Sequence, residues 1–176
     1  MKKIGVLLLT LVFAVSLTAC GGGGGSGGGK PTVTSTYTHD NGIKVSLSFP
    51  DSDDYRWTED KDDFRLGTWK AAIVGPDVKV GINVQGFGFG ITDFAGQKAR
   101  ASENSDLSDA VYGGIKGYSY YYGGYTSYVV SLPAEGSNQL VQLWVSEPDN
   151  KESLIDELFE SDTVQRILNS VKIEVE

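Results

Sequence analysis

Positions 21 to 29 hold eight glycines and one serine, Ser26. A run of this kind offers no side chains to bury and leaves the backbone maximally free, so it cannot contribute to a core. It divides the chain into residues 1–20 and residues 31–176, and any packed domain has to come from the second part. At about 5–6 Å × √n, a linker of ten residues has a typical reach of roughly 17–19 Å. A domain on such a tether swivels close to whatever holds the first part.

The first part begins with Lys2 and Lys3, followed by an apolar run from Ile4 to Val15 broken only by Gly5 and Thr10. A transmembrane helix needs about 20 apolar residues, whereas a signal-peptide core needs about 7–15. The run then meets Leu17-Thr18-Ala19-Cys20. This order of a leucine, two small residues and a cysteine resembles the lipobox of bacterial lipoproteins. The resemblance implies a lipid thioether on the sulfur of Cys20, cleavage between Ala19 and Cys20, and anchoring on the extracytoplasmic face of a cell membrane. The glycine spacer directly after the cysteine is similar to lipoproteins of Gram-positive bacteria. A plain secretory signal with a chance cysteine is the competing reading. Two acyl chains hold a protein stably where one is marginal.

Residues 31–176 make one domain of ordinary size, able to bury about 68–70% of its unfolded surface. Cys20 is the single cysteine, so a disulfide within the domain is excluded. The chain carries a formal charge of −8, and loss of Lys2 and Lys3 with residues 1–19 makes the mature protein more negative by two. A surface this acidic suits neither nucleic acid nor anionic headgroups, both of which attract Lys/Arg clusters.

Thr32 to His39 reads as a strand, and Asn41-Gly42 after it is a two-residue hairpin signal with positive φ at both positions. Ile43, Val45, Leu47 and Phe49 alternate with polar residues up to Pro50, the pattern of a half-buried strand. An acidic, irregular stretch from Asp51 to Asp63 follows, with Trp57 as its buried peg. Further strands are expected at 64–66, 69–74 and 78–84, with a Gly75-Pro76-Asp77 turn. Residues 91–102 read as a helix with Asp93 in its first turn, and 103–109 as an acidic loop or frayed helix. Residues 115–132 form a hairpin turning at Gly123-Gly124, and 140–145 another strand. Two helical stretches close the chain, opened by Asp149-x-x-Glu152 and Asp162-x-x-Gln165, before a short strand at 172–175. The order predicts an α+β domain with a mainly antiparallel sheet packed with helices.

Ile43 to Pro50 with Trp57, Gly117-Tyr118-Ser119-Tyr120, and the closing helix through Ile167-Leu168-Asn169-Ser170-Val171 are similar to PsbP/Mog1-like domains. The resemblance implies an α/β/α sandwich and a binding or assembly role without catalysis.

Few residues invite chemistry. His39 is the single histidine, and no nucleophile-elbow sequence accompanies any serine. An enzyme built from this chain would be a cell-envelope hydrolase using acidic residues. Asp51-x-Asp53 resembles the first two ligands of a calcium loop, but Tyr55 and Arg56 stand where a ligand and the turn glycine belong. Asp51, Asp53 and Asp54 are thus weak metal candidates beside a solvated-loop reading. Gly86-x-Gly88-x-Gly90 lacks the phosphate-loop ending and the dinucleotide spacing, so no cofactor is expected.

Six of nine tyrosines fall between Tyr118 and Tyr128. A two-residue turn at Gly123-Gly124 sets Tyr122 opposite Tyr125 and Tyr120 opposite Ser127. Tyr118, Tyr120, Tyr122 and Tyr125 then share one face, while Tyr121, Tyr128, Val130 and Leu132 share the core face. Cross-strand packing accounts for such a cluster at about 0.2–1 kcal/mol per pair. An exposed strip at Tyr120, Tyr122 and Tyr125 is the alternative account, as a surface for an envelope protein, peptide or glycan. The sequence thus points to a lipid-anchored, non-catalytic binding or assembly domain, held to the membrane through Cys20.

Overall fold

The computed structural model describes residues 31–59, 69–148 and 154–176. The signal segment, Cys20, the linker, the strand expected at 64–66, Asp60, Asp62, Asp63 and the Asp149–Glu152 cap lie outside the described residues. Among the described residues the fold is mixed, with two antiparallel sheets and three α-helices. The strands are β1 (Thr32–Thr38), β2 (Ile43–Pro50), β3 (Arg56–Thr58), β4 (Ala71–Val74), β5 (Lys79–Gly86), β6 (Ser108–Tyr112), β7 (Ile115–Tyr122), β8 (Ser127–Ala134), β9 (Gln139–Ser146) and β10 (Lys172–Val175). The helices are α1 (Phe94–Ser102), α2 (Ile155–Glu160) and α3 (Asp162–Asn169). One sheet runs β1-β2-β10 and the other β3-β4-β5-β9-β8-β7-β6.

Strand alternation sets the layers. In β2 the apolar set Ile43, Val45, Leu47 and Phe49 is buried, while the intervening residues are half-buried. That set meets Val80, Ile82 and Val84 of β5, Val130 and Leu132 of β8, and Val141, Leu143 and Val145 of β9 in one core. Val164, Ile167 and Leu168 of α3 seal the same core. Ser161 caps α3 by accepting from the Val164 amide, and Gln165 bonds back to the Phe159 carbonyl. The expected Asp162-x-x-Gln165 box is therefore shifted by one residue at its cap. Ser170 ties α3 to β2: the Ser48 amide donates to its Oγ at 2.7 Å.

Helix α1 lies on the opposite face of the large sheet. Its Phe94 packs on Tyr118 with ring centroids 5.5 Å apart, and Lys98 pairs with Asp109 of β6. Asp93 is the N-cap, accepting from the Gly96 amide at 2.7 Å, so the helix starts three residues later than its apolar pattern suggests. The stretch expected as an acidic loop becomes strand β6 from Ser108 onward. Trp57 is half-buried against the core and donates to Glu59 through Nε1, a looser position than a buried peg.

The turns differ from their expected types. The β1–β2 connection closes with His39 N–H donating to the Ile43 carbonyl, leaving Asp40, Asn41 and Gly42 as a three-residue loop. Gly42 alone of the three has positive φ, at 84°, so the Asn-Gly pair does not form the two-residue turn. That turn is at Gly113-Gly114 instead, where φ is 58° and 81° between paired Tyr112 and Ile115.

Candidate functional site

The tyrosine hairpin joins β7 to β8 through four residues, not two. Gly123–Tyr125 forms a 3₁₀ turn and Thr126 follows in the left-handed region at φ 48°. A β-branched residue there is strained, and strain of this kind gathers at working loops. The register moves by two residues from the expected one: Tyr122 pairs with Ser127, Tyr120 with Val129 and Tyr118 with Ser131. A two-residue shift keeps every side chain on its face, whereas a one-residue slip would invert them. The expected division of faces therefore survives for Tyr118, Tyr120 and Tyr122 against Tyr121 and Tyr128 although the pairing partners change, while Tyr125 leaves the strands for the 3₁₀ turn.

Continuing those pairs across β9 and β5 gives three rows on the outer face. Tyr122, Ser127, Ser146 and Lys79 form the first; Tyr120, Val129, Trp144 and Gly81 the second; Tyr118, Ser131, Gln142 and Asn83 the third. Trp69 lies flat over Gly81, where a Cβ would sit 2.3 Å from its ring. Lys79 places its ammonium 4.6 Å from that ring centroid, within cation–π range. Gln142 Oε1 accepts from both Asn83 Nδ2 and Trp144 Nε1 at 3.3 Å. Among the described residues the buried Trp69 indole N–H finds no partner, a costly state for a donor.

This face is only partly open. Tyr118 is 1% exposed, Tyr120 half-buried and Tyr122 39% exposed. Tyr118 belongs to the packing beneath α1 and exposure grows toward the turn, so of the expected strip Tyr122 is open and Tyr120 half-covered. The side chain of Tyr125 lies outside what the structure describes. Tyr122 stands edge-on to Trp144, centroids 5.6 Å apart. Burial, with the neighbouring Tyr118 and Tyr122 phenols, pushes the Tyr120 phenol up to about 12, partly offset by a hydrogen bond with Gln142. On the core face Tyr121 meets Tyr128, which stacks on Phe159 and donates to Asp156 at 2.6 Å.

Sequence reasoning found the tyrosines but missed Trp144, Gln142 and Trp69. Trp144 and Gln142 alternate in the apolar run of β9 and carry no local signal of their own. The other candidates fall elsewhere. Asp51, Asp53 and Asp54 are exposed on the turn after β2, and among the described residues no three acidic, histidine or cysteine side chains converge as a metal site. His39 bonds Asn41 through Nδ1 at 2.6 Å within its turn. Asp77, Glu147 and Glu157 line a pocket of about 290 Å³ between the β4–β5 turn and α2.

No family model, curated protein or solved structure matches this chain.

Proposed function

We propose that this chain is a bacterial lipoprotein, anchored through Cys20 to the extracytoplasmic face of a cell membrane, whose domain binds or assembles with an envelope component without chemistry of its own. The observation that carries the reading is the Tyr122–Trp144 pair. A large aromatic is held half-exposed against a buried, hydrogen-bonded ring, so contact area is offered with little side-chain entropy left to lose. Tyr120 supports it from the next row. The α/β/α arrangement of a PsbP/Mog1-like domain is part of the same proposal: helices lie on both faces of the large sheet, with the small sheet sharing one layer. The hydrolase alternative is best placed at the pocket of Asp77, Glu147 and Glu157, where carboxylates from separate elements meet.

Two measurements test the reading. Cys20→Ala expressed in a bacterium should lose lipid and shift from the detergent to the aqueous phase; retention in the detergent phase would refute anchoring through this sulfur. Titration of the protein with wall glycan fragments and envelope peptides should quench Trp144 fluorescence in the parent and not in Tyr122→Ala. Hydrolysis of any of these probes, abolished by Glu147→Gln, would replace the binding reading with the enzymatic one.

A further inference from the structure

A second surface lies at the other end of the domain. The row of Arg56, Val74, Lys79, Ser146, Ser127 and Tyr122 marks one end of the large sheet. The chain enters at this end, because the Asp51 amide bonds the Pro31 carbonyl just before the turn into Arg56. The opposite end carries the Gly113-Gly114 turn, the 135–138 turn and the end of β10. There a groove of about 530 Å³ is lined by Ile115, Lys116, Pro133, Glu135, Ile173 and Val175, with the Gly113-Gly114 turn.

Among the described residues, strand β10 pairs with β2 on one side only. Glu176 N–H donates to the Gly42 carbonyl, in register with the Glu174–Lys44 and Lys172–Ser46 pairs. Backbone groups along an antiparallel strand point alternately to its two sides. The N–H and C=O of Ile173 and Val175 therefore point away from β2, to the free edge. These are the same two residues whose side chains line the groove. Unpaired strand donors and acceptors, an apolar floor and an open volume thus coincide. A free edge recruits another strand less readily when it is short or charged; β10 is four residues long, with Lys172 and Glu174 on its outer side, so it offers pairing to a short segment at Ile173 and Val175.

We infer that the β10 edge is a docking site for an extended segment of another polypeptide, added as a fourth strand to the β1-β2-β10 sheet. Main-chain bonds to Ile173 and Val175 supply affinity, and alternate side chains entering the groove supply selectivity. The volume falls in the range of ligand sites, about 300–1,000 Å³. Charge complementarity fixes the outward residues of the segment: an acid beside Lys172 and a base beside Glu174. Its inward residues are apolar, to lie on Ile115 and Pro133. The chain's own linker does not serve, since it leaves Pro31 at the far end and its glycines have nothing to place in the groove.

The test uses the full chain, ¹⁵N-labelled in detergent micelles, titrated with the synthetic peptide acetyl-Thr-Val-Lys-Val-Glu-Val-Thr-amide, whose Lys and Glu fall beside Glu174 and Lys172 when it pairs antiparallel to β10. The Ile173 and Val175 amide signals should shift and their hydrogen exchange should slow. The same peptide N-methylated at alternate residues should bind at least tenfold more weakly. Val175→Pro removes an N–H that β2 does not use, a substitution edge strands tolerate. It should lose at least tenfold in affinity, about 1.4 kcal/mol, with the melting temperature unchanged. Glu174→Lys should weaken the original peptide and prefer one with the Lys replaced by Glu, which keeps the test decisive if Val175→Pro fails to fold. Unmoved Ile173 and Val175 signals at millimolar peptide, equal affinity in both variants, or shifts confined to Tyr120–Ser127 would overturn the proposal.

Discussion

Replacing the outer-face tyrosines one at a time separates packing from presentation. Tyr118 is 1% exposed, wedged between Phe94 at 5.5 Å and Tyr120 at 6.2 Å. Tyr118→Ala removes a large buried aromatic, a change that costs about 3–5 kcal/mol. At about 2–4 °C per kcal/mol for a chain of this length, the melting temperature should fall by roughly 6–20 °C. Tyr118→Phe keeps the ring and should recover most of that loss. Tyr122 is 39% exposed and packs on Trp144 in a T-shaped pair. Tyr122→Ala forfeits that aromatic pair, worth about 0.5–1.5 kcal/mol, and should lower the melting temperature by roughly 1–6 °C. Tyr120→Ala should fall between them. The assay is urea unfolding followed by far-UV circular dichroism, with midpoints and slopes compared across the series. Equal, large losses at Tyr118, Tyr120 and Tyr122 would show that all three are structural, and would refute the assignment of Tyr122 to a binding surface.

Alkaline pH should destabilise the fold. The Tyr128 phenol is raised to about 12, first by its hydrogen bond to Asp156, and Tyr120 to about 12, first by burial, against an ordinary value of 10.0. Both hold their protons more tightly when folded, so their contribution is complete below pH 10 and is lost as pH rises toward 12; melts across pH 9–12 should show this fall, and Tyr128→Phe should make it shallower. Ser161→Ala removes the cap that accepts from the Val164 amide and should cost about 0.5–2 kcal/mol in the same urea assay; no change would mean that the α3 start is held by packing alone. Calcium at low millimolar should leave the melting temperature within about a degree, since Asp51, Asp53 and Asp54 are spread on an exposed turn; a rise of several degrees would make them ligands.

Strands with strict alternation were legible because burial on one face enforces a period of two: β2 runs Ile43 to Pro50, as its pattern of Ile43, Val45, Leu47 and Phe49 indicates. The closing helix was legible for the same kind of reason, with Val164, Ile167 and Leu168 on one stripe. Turns were not. Asn41-Gly42 and Gly123-Gly124 both read as two-residue turns, yet each belongs to a longer loop ending in a left-handed residue, Gly42 or Thr126. Nothing local distinguishes those loops from the real two-residue turn at Gly113-Gly114; the choice is made by which cross-strand pairs the flanking strands can bury. At the site, the face of Tyr120 and Tyr122 followed from parity alone. Distance from the turn orders their exposure, with Tyr118 covered and Tyr122 open; that α1 is what covers Tyr118 is a tertiary matter. Trp69 over Gly81 depends on a contact twelve residues apart with no periodic signature.

The position of Pro31 has a mechanical consequence. β1 enters at one end of the small sheet, and Ile173 and Val175 of β10 sit at the other. If the chain is held through the residues before Pro31, as proposed, a pull between that attachment and a ligand seated on β10 runs along the strands, from β1 through β2 to β10. Ladder bonds lie across that line, so the seven paired positions of β1 and β2 bear the load together instead of unzipping one after another. Were the ligand seated instead at the Pro50 end of β2, beside Pro31, the same force would peel the sheet open from that end.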